Sequence, residues 1–179
     1  TWVAQGTFSI TGLVADDLAV GDEIPFADIS GGDQNKTTVA KLGGFLHPRI
    51  ADGRLTLTSG TAVTTSDVTA AGTIYYALYT GNRIALYDGT RWVLQVFTER
   101  SLALTATSGK NYDVFLYDHA GTLTLERSTA WTTDTARADA LTTQDGILVK
   151  SGATTRRYLG TFRASAANAT EDSDTKRFV

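Results

Sequence analysis

The chemistry-bearing residues of this chain are few and scattered. His47 and His119 are its only histidines. Neither stands in a Ser–His–Asp order, a paired-histidine spacing or beside a Gly-rich phosphate loop, so both read as loop residues rather than bases or ligands. The acidic cluster Glu171, Asp172 and Asp174 lacks the alternating oxygen ligands, glycine and terminal glutamate of a calcium loop. Asp16–Asp17 and Asp22–Glu23 read as turn and cap residues. Glycoside hydrolysis needs two carboxylates held a few ångströms apart in a cleft, and nothing in the spacing selects such a pair. Cysteine is absent, which removes thiol nucleophiles, disulfides and Cys-based zinc sites. The expectation is a protein with no catalytic residues, no metal and no cofactor.

Binding chemistry has slightly better candidates. Trp92 and Trp131 could each stack on a sugar ring. Trp92 lies in an alternating apolar run and reads as packing, whereas Trp131, in "STAWTTDT", is surrounded by polar residues and is the candidate glycan contact. Arg156 and Arg157 are adjacent, so on a strand they point to opposite faces and read as surface rather than as a phosphate site. "NKT" at Asn35 and "NAT" at Asn168 match the glycosylation acceptor, but no secretory leader accompanies them.

Composition narrows the class. The 179 residues are 42% hydrophobic and 20% charged, with a net charge of −3, which suits a globular chain. No basic patch favours nucleic acid, and no apolar run is long enough to span a membrane. Thr occurs 30 times and Pro twice, and β-branched Thr favours half-exposed strands. Methionine is absent, so Thr1 is not an initiator and the chain is processed or part of a longer one.

The elements that must position these residues read as all-β: an antiparallel sandwich or barrel-like domain over 53–179, preceded by a small, mostly β attachment and oligomerisation section over 1–52. In the first section "FSITGLV" and "EIPFADIS" read as short strands, "GGDQNK" as a turn, and "KTTVAKLGGFL" as one helical turn or a short strand. Strands are expected at 54–58, 73–79, 82–86, 91–98, 101–105, 110–117, 122–127, 146–150 and 155–163. "TARADALT", 135–142, reads as a short helix.

Turn chemistry suggests the registers. A three-residue loop Tyr87–Asp88–Gly89 pairs Ile84 with Trp92 and gathers Ile84, Leu86, Trp92, Leu94 and Val96 on one face. Tyr79–Thr80–Gly81 as a loop pairs Tyr76 with Ile84 and Ile74 with Leu86. A four-residue loop Asp118–Gly121 pairs Leu116 with Leu123 and Val114 with Leu125. The result is an antiparallel meander with one buried face. Its outer face carries Val93 and Phe97, more apolar than water requires, which makes them the candidate inter-chain face.

Two stretches carry a resemblance. "GDEIPFADISGGDQNKTTVAKLGGFL" resembles a segment found in bacteriophage tail fibres, tailspikes and related appendages, ahead of a β-rich domain. "RLTLTSGTAVTTSDVTAAGTIYYALYTGNRIALYDGTRW", continuing through "GKNYDVFLYDHAGTLTLE", "DGILVKSGATTRRYLGTFR" and "EDSDTKRFV", is similar to a β module of phage structural proteins and covers most of 53–179. The resemblance implies a virion structural protein assembled in the host cytoplasm. It also implies a homotrimer whose partners are other tail or capsid proteins and a host surface glycan, with no enzymatic residues to carry over. A tail fibre or fibre-anchoring protein in host attachment is the leading expectation. The alternatives are a capsid-attached head fibre or decoration protein, and the non-catalytic part of a glycan-degrading tailspike.

Overall fold

The computed structural model describes residues 23–27, 34–38 and 48–174. Among these residues there is no helix, and the strands pair antiparallel without closing a barrel. In the first section, β1 (Glu23–Ala27) pairs with β2 (Gln34–Thr38), Ile24 opposite Thr37. "EIPFADIS" therefore supplies a strand as expected, and Pro25 sits in a strand with a single neighbour, where its missing N–H removes no second ladder. Of the expected turn "GGDQNK", Gln34 to Lys36 belong to β2 instead, and the rest lies outside the described residues. "FSITGLV" and His47 lie outside the described residues.

The described stretch 48–174 forms the main body. Its largest sheet has five strands in the order β10 (Thr122–Arg127), β9 (Asn111–His119), β13 (Ala153–Arg163), β12 (Ile147–Lys150) and β11 (Leu141–Gln144). A three-stranded sheet runs β3 (Gly53–Thr56), β5 (Thr73–Leu78), β8 (Arg100–Ala103). Two pairs complete the body: β6 (Arg83–Tyr87) with β7 (Trp92–Val96), and β4 (Val68–Ala71) with β14 (Thr170–Asp172). Nine expected strands appear within a few residues of their foreseen ends. The strands β4, β11 and β14 were not foreseen, being short and rich in Thr and Ala.

One core collects Leu57, Ile74 and Tyr76 from the three-stranded side, Ile84 and Leu86 from β6, and Tyr112, Val114, Leu116, Leu123, Leu125 and Phe162 from the five-stranded sheet. A second, smaller core holds Ala85, Trp92, Leu94 and Val149. At roughly 25 cal/mol per Å² of apolar surface removed from water, these two clusters supply the principal driving force for the fold.

The β6–β7 hairpin corrects the expected register. Tyr87 lies opposite Trp92, Leu86 opposite Val93 and Ile84 opposite Gln95. The loop is Asp88 to Arg91, closed by Asp88 N–H donating to the Arg91 carbonyl at 2.9 Å, while the Asp88 carboxylate accepts the N–H groups of Thr90 and Arg91. Gly89 takes the left-handed backbone foreseen for it, at φ 103°. The slip from the expected pairing is odd, so the faces flip. Ile84 and Leu86 enter the main core, whereas Ala85, Trp92 and Leu94 enter the second.

The β9–β10 hairpin slips by two residues instead. Ala120 and Gly121 form a two-residue loop, both at positive φ (51° and 86°), and Leu116 lies opposite Leu125. An even slip keeps the face, so Val114, Leu116, Leu123 and Leu125 remain in the core as expected.

The Tyr79–Gly81 hairpin is not formed. β5 pairs with β3 and β8, not with β6. Asp52 stands between the two strands. Its N–H donates to the Arg83 carbonyl, its carbonyl accepts from Tyr79 and Thr80, and its carboxylate accepts the Arg83 N–H. The expected helix over 135–142 is likewise absent. The Thr133 hydroxyl accepts the N–H groups of Thr135 and Ala136, a local closure that competes with helix, and Leu141 already begins β11.

Candidate functional site

Two places gather polar side chains against the five-stranded sheet, one on each face. On the outer face, β9 presents Asp113, Phe115 and Tyr117 at alternate positions. The segment from Ser128 to Ala140 crosses over this face. Asp113 is fully buried, and a buried carboxylate needs donors. It has three: Arg137 Nε at 2.9 Å and Trp131 Nε1 at 3.2 Å on Oδ2, and Thr161 Oγ1 at 2.5 Å on Oδ1. The Arg137 guanidinium lies over the Trp131 ring, 4.3 Å from its centroid. Further along the same face Glu126 accepts from Arg156 at 2.7 Å and from Lys150 at 3.3 Å, and Arg156 covers the Tyr117 ring.

Trp131 is therefore half-buried, with one ring face against a guanidinium and its polar edge committed to Asp113. Its polar sequence neighbours gave no hint of this, because Asp113 lies 18 residues away. The arrangement anchors the crossing segment.

The second place lies on the inner face. The Arg157 side chain is buried, at 6% exposure, so the expectation of an Arg156–Arg157 surface pair fails for Arg157, while Arg156 is half-buried on the outer face. Their opposite orientation is as foreseen. Arg157 Nη1 donates to the carbonyls of Pro48, Ile50 and Ala85 at 2.9, 3.0 and 2.7 Å, and Nη2 donates to Arg49 at 3.2 Å. Burial lowers its pKa from the ordinary arginine value, and the nearby Tyr76 offsets part of that. Carbonyl dipoles thus hold a buried cation that no carboxylate neutralises among the described residues.

Next to Arg157, β13 bulges between Tyr158 and Gly160. A cavity of about 220 Å³ opens there, lined by Gly53, Arg54, Leu55, Tyr76, Arg157 and Leu159 among others. The Tyr76 hydroxyl oxygen accepts the Gly53 N–H at 3.2 Å. Burial pushes the Tyr76 phenol up to about 12, the Gly53 bond and Arg157 opposing the rise. Only glycine fits at 53, since a Cβ there would lie 2.7 Å from the Phe97 ring and closer still to Tyr76. Arg54, exposed at the rim, lies over the Tyr79 ring at 5.7 Å.

The other sequence candidates fall elsewhere. Phe97 is buried at 2% exposure and packs on Tyr76 with ring centroids 4.9 Å apart. It is core and not an inter-chain face, because its N–H bonds the Asn82 carbonyl and turns the ring inward. Val93 is half-buried on the strand face shared with Leu86. His119 is exposed, edge-on to Tyr117. Asn168 holds φ 56° and its Oδ1 accepts the Ala106 N–H, a turn role for the "NAT" match. Asp172 accepts from Thr64, and among the described residues no three His, Asp or Glu side chains converge as a metal site.

The sequence pointed to neither Asp113 nor Tyr76 as a polar centre. The only available signal was the Asp within "NYDVFLYD", a charge in a run otherwise alternating as a buried strand. Compared with protein-family models, curated proteins and solved structures, the chain gives no match.

Proposed function

We propose that this chain is a structural module of a bacteriophage virion, a tail fibre or fibre-anchoring protein that assembles as a homotrimer and serves host attachment. It acts without catalysis, within the virion, after assembly in the host cytoplasm. The observation that carries this reading is a cluster of uncovered apolar side chains. Leu78, Tyr79 and Val96 are 48, 56 and 48% exposed. All three sit on strand ends joined through Asp52: Leu78 lies opposite Gly53, Tyr79 N–H bonds Asp52, and Val96 lies opposite Arg83, itself bonded to Asp52. An apolar cluster there suits contact with neighbouring chains, and cyclic closure covers it without leaving a growing edge.

This cluster replaces Phe97 as the inter-chain surface, and it adjoins the hairpin that carries Val93. The all-β fold, the Thr-rich strands and the resemblance of 53–179 to phage structural modules support the same reading. Light scattering on the full chain is expected to give three times the 19.1 kDa chain mass. Tyr79→Ser combined with Val96→Ser is expected to lower that mass while leaving the circular dichroism unchanged. A compact monomer at micromolar concentration sinks the proposal. Labelled virions seen by electron microscopy then separate a tail from a head location.

A further inference from the structure

We propose that the cavity beside the β13 bulge is a binding site for a small ligand bearing one carboxylate. The site belongs to a single chain and needs no assembly. Its chemistry is unbalanced in a telling way: it offers donors and positive charge, and no carboxylate side chain lines it.

Arg157 shows this most directly. A guanidinium has five N–H bonds. The Nη1 pair is taken up by three carbonyls and one Nη2 hydrogen by the fourth. The Nε–H and the second Nη2–H have no acceptor among the described residues. Those two hydrogens form the parallel fork that matches the two oxygens of a carboxylate. Tyr76 adds a third donor. Its oxygen is already used as an acceptor by Gly53, and burial keeps its proton on, so the phenol has a hydrogen to give. At the rim Arg54 brings a second cation that makes no ion pair among the described residues.

The nearest carboxylate, on Asp52, is occupied with the Arg83 N–H and lies against Gly81. Its charge acts on Tyr76 from outside the cavity, since its side chain is not among the lining groups.

Size and lining narrow the class. At ~30 Å³ per water, 220 Å³ corresponds to about seven waters, which suits a ligand of one small ring and is well below a drug-sized pocket. Leu55 and Leu159 provide an apolar wall for the body of such a ligand. Phosphate is the poorer fit. The guanidinium fork would also take it, but phosphate is compact and has no apolar part to set against the Leu55 and Leu159 wall. Two sources share the favoured chemistry: an acidic sugar of a surface glycan, and a free small organic acid.

The test is a titration of the isotope-labelled full chain, followed by amide chemical shifts, with D-glucuronate, propionate, glucose and inorganic phosphate as separate probes. Glucuronate is expected to shift Gly53, Leu55 and Leu159 with a dissociation constant of ~1 mM. Glucose, which lacks the charge, is expected to bind at least tenfold more weakly. Saturation by glucuronate but not propionate identifies the sugar source. Saturation by both identifies the free acid. Arg54→Gln and Tyr76→Phe are each expected to weaken glucuronate by about tenfold, after a melting curve confirms that each is folded. The proposal is overturned if neither acid shifts these amides, if glucose or phosphate binds as well as glucuronate, or if both variants bind unchanged.

Discussion

The two faces of the five-stranded sheet each bury one charged residue, and they satisfy it in opposite ways. On the outer face Asp113 is held by side chains, one of them the cation Arg137, carried on an irregular segment. On the inner face Arg157 is held by four main-chain carbonyls and, among the described residues, no anion. The first arrangement fastens a surface segment to a finished sheet. The second gathers the Pro48–Ile50 segment, β6 and β13 around one side chain, and so fixes how separate elements sit together. Removing a charge-bearing partner from buried groups leaves the remainder desolvated. The arrangement that ties more of the backbone should therefore be the more costly to break.

Arg157→Ala provides the largest break. Four carbonyls lose the guanidinium, Ile50 keeping the Ala85 N–H, and destabilisation of about 5 kcal/mol is expected in urea unfolding. A loss under about 2 kcal/mol would remove the contrast between the faces. Asp113→Ala should cost about 3 kcal/mol and should raise protease sensitivity between Ser128 and Ala140 before the rest of the body opens. If cleavage and global unfolding remain coincident, that segment is not a separately fastened unit.

The inner face can also be probed by alkali. The folded Tyr76 phenol titrates at about 12 against an ordinary value of 10. Its contribution is complete below pH 10 and is lost as pH rises through about 12. A loss of ~2 kcal/mol by pH 12 follows, and Tyr76→Phe should abolish that part of the alkaline slope. Arg137→Gln probes the outer pair from its exposed side. With the Arg137 side chain 32% exposed, about 1 kcal/mol is expected, shrinking as salt is raised.

The smallest effect belongs to Asp145, whose carboxylate accepts from Gln144 and from Trp92 Nε1 at 3.1 and 2.9 Å. Those bonds lower its pKa below the ordinary 3.8. Its contribution is present above that value and fades as pH falls below it. Asp145→Asn should lower stability slightly at neutral pH and flatten its pH dependence below about pH 4, where variant and wild type converge; a difference that appears only in acid would contradict this.

Local alternation made most strands legible, together with the aliphatic set of β9 and β10. Where the register differs from the expected one by an even number of residues, the face survives, as at Leu116 and Leu125. At Ile84 and Trp92 the slip was odd, and one expected core face became two. The pairing of β5 was out of reach for a different reason: Asp52, which separates it from β6, acts from some 30 residues away in the chain. The same distance problem hid the candidate site. Arg157 reaches carbonyls 107 to 109 residues earlier, and carbonyls carry no sequence signature. Trp131 was read from its polar neighbours, while its environment is set by Asp113 and Arg137 across the sheet.

The Arg157 staple has a mechanical consequence. Tension applied through the chain that leads into Pro48 would meet three consecutive carbonyls bonded to one guanidinium rooted in β13, next to the central ladder with β9. Those bonds share the force at once, whereas a peeled hairpin yields one rung at a time. Arg157 thereby transmits a pull on the leading segment into the middle of the broadest sheet, bypassing the single bridge between Ala51 and Ile84. The body should resist extension along that direction far better than its short two-stranded pairs would alone.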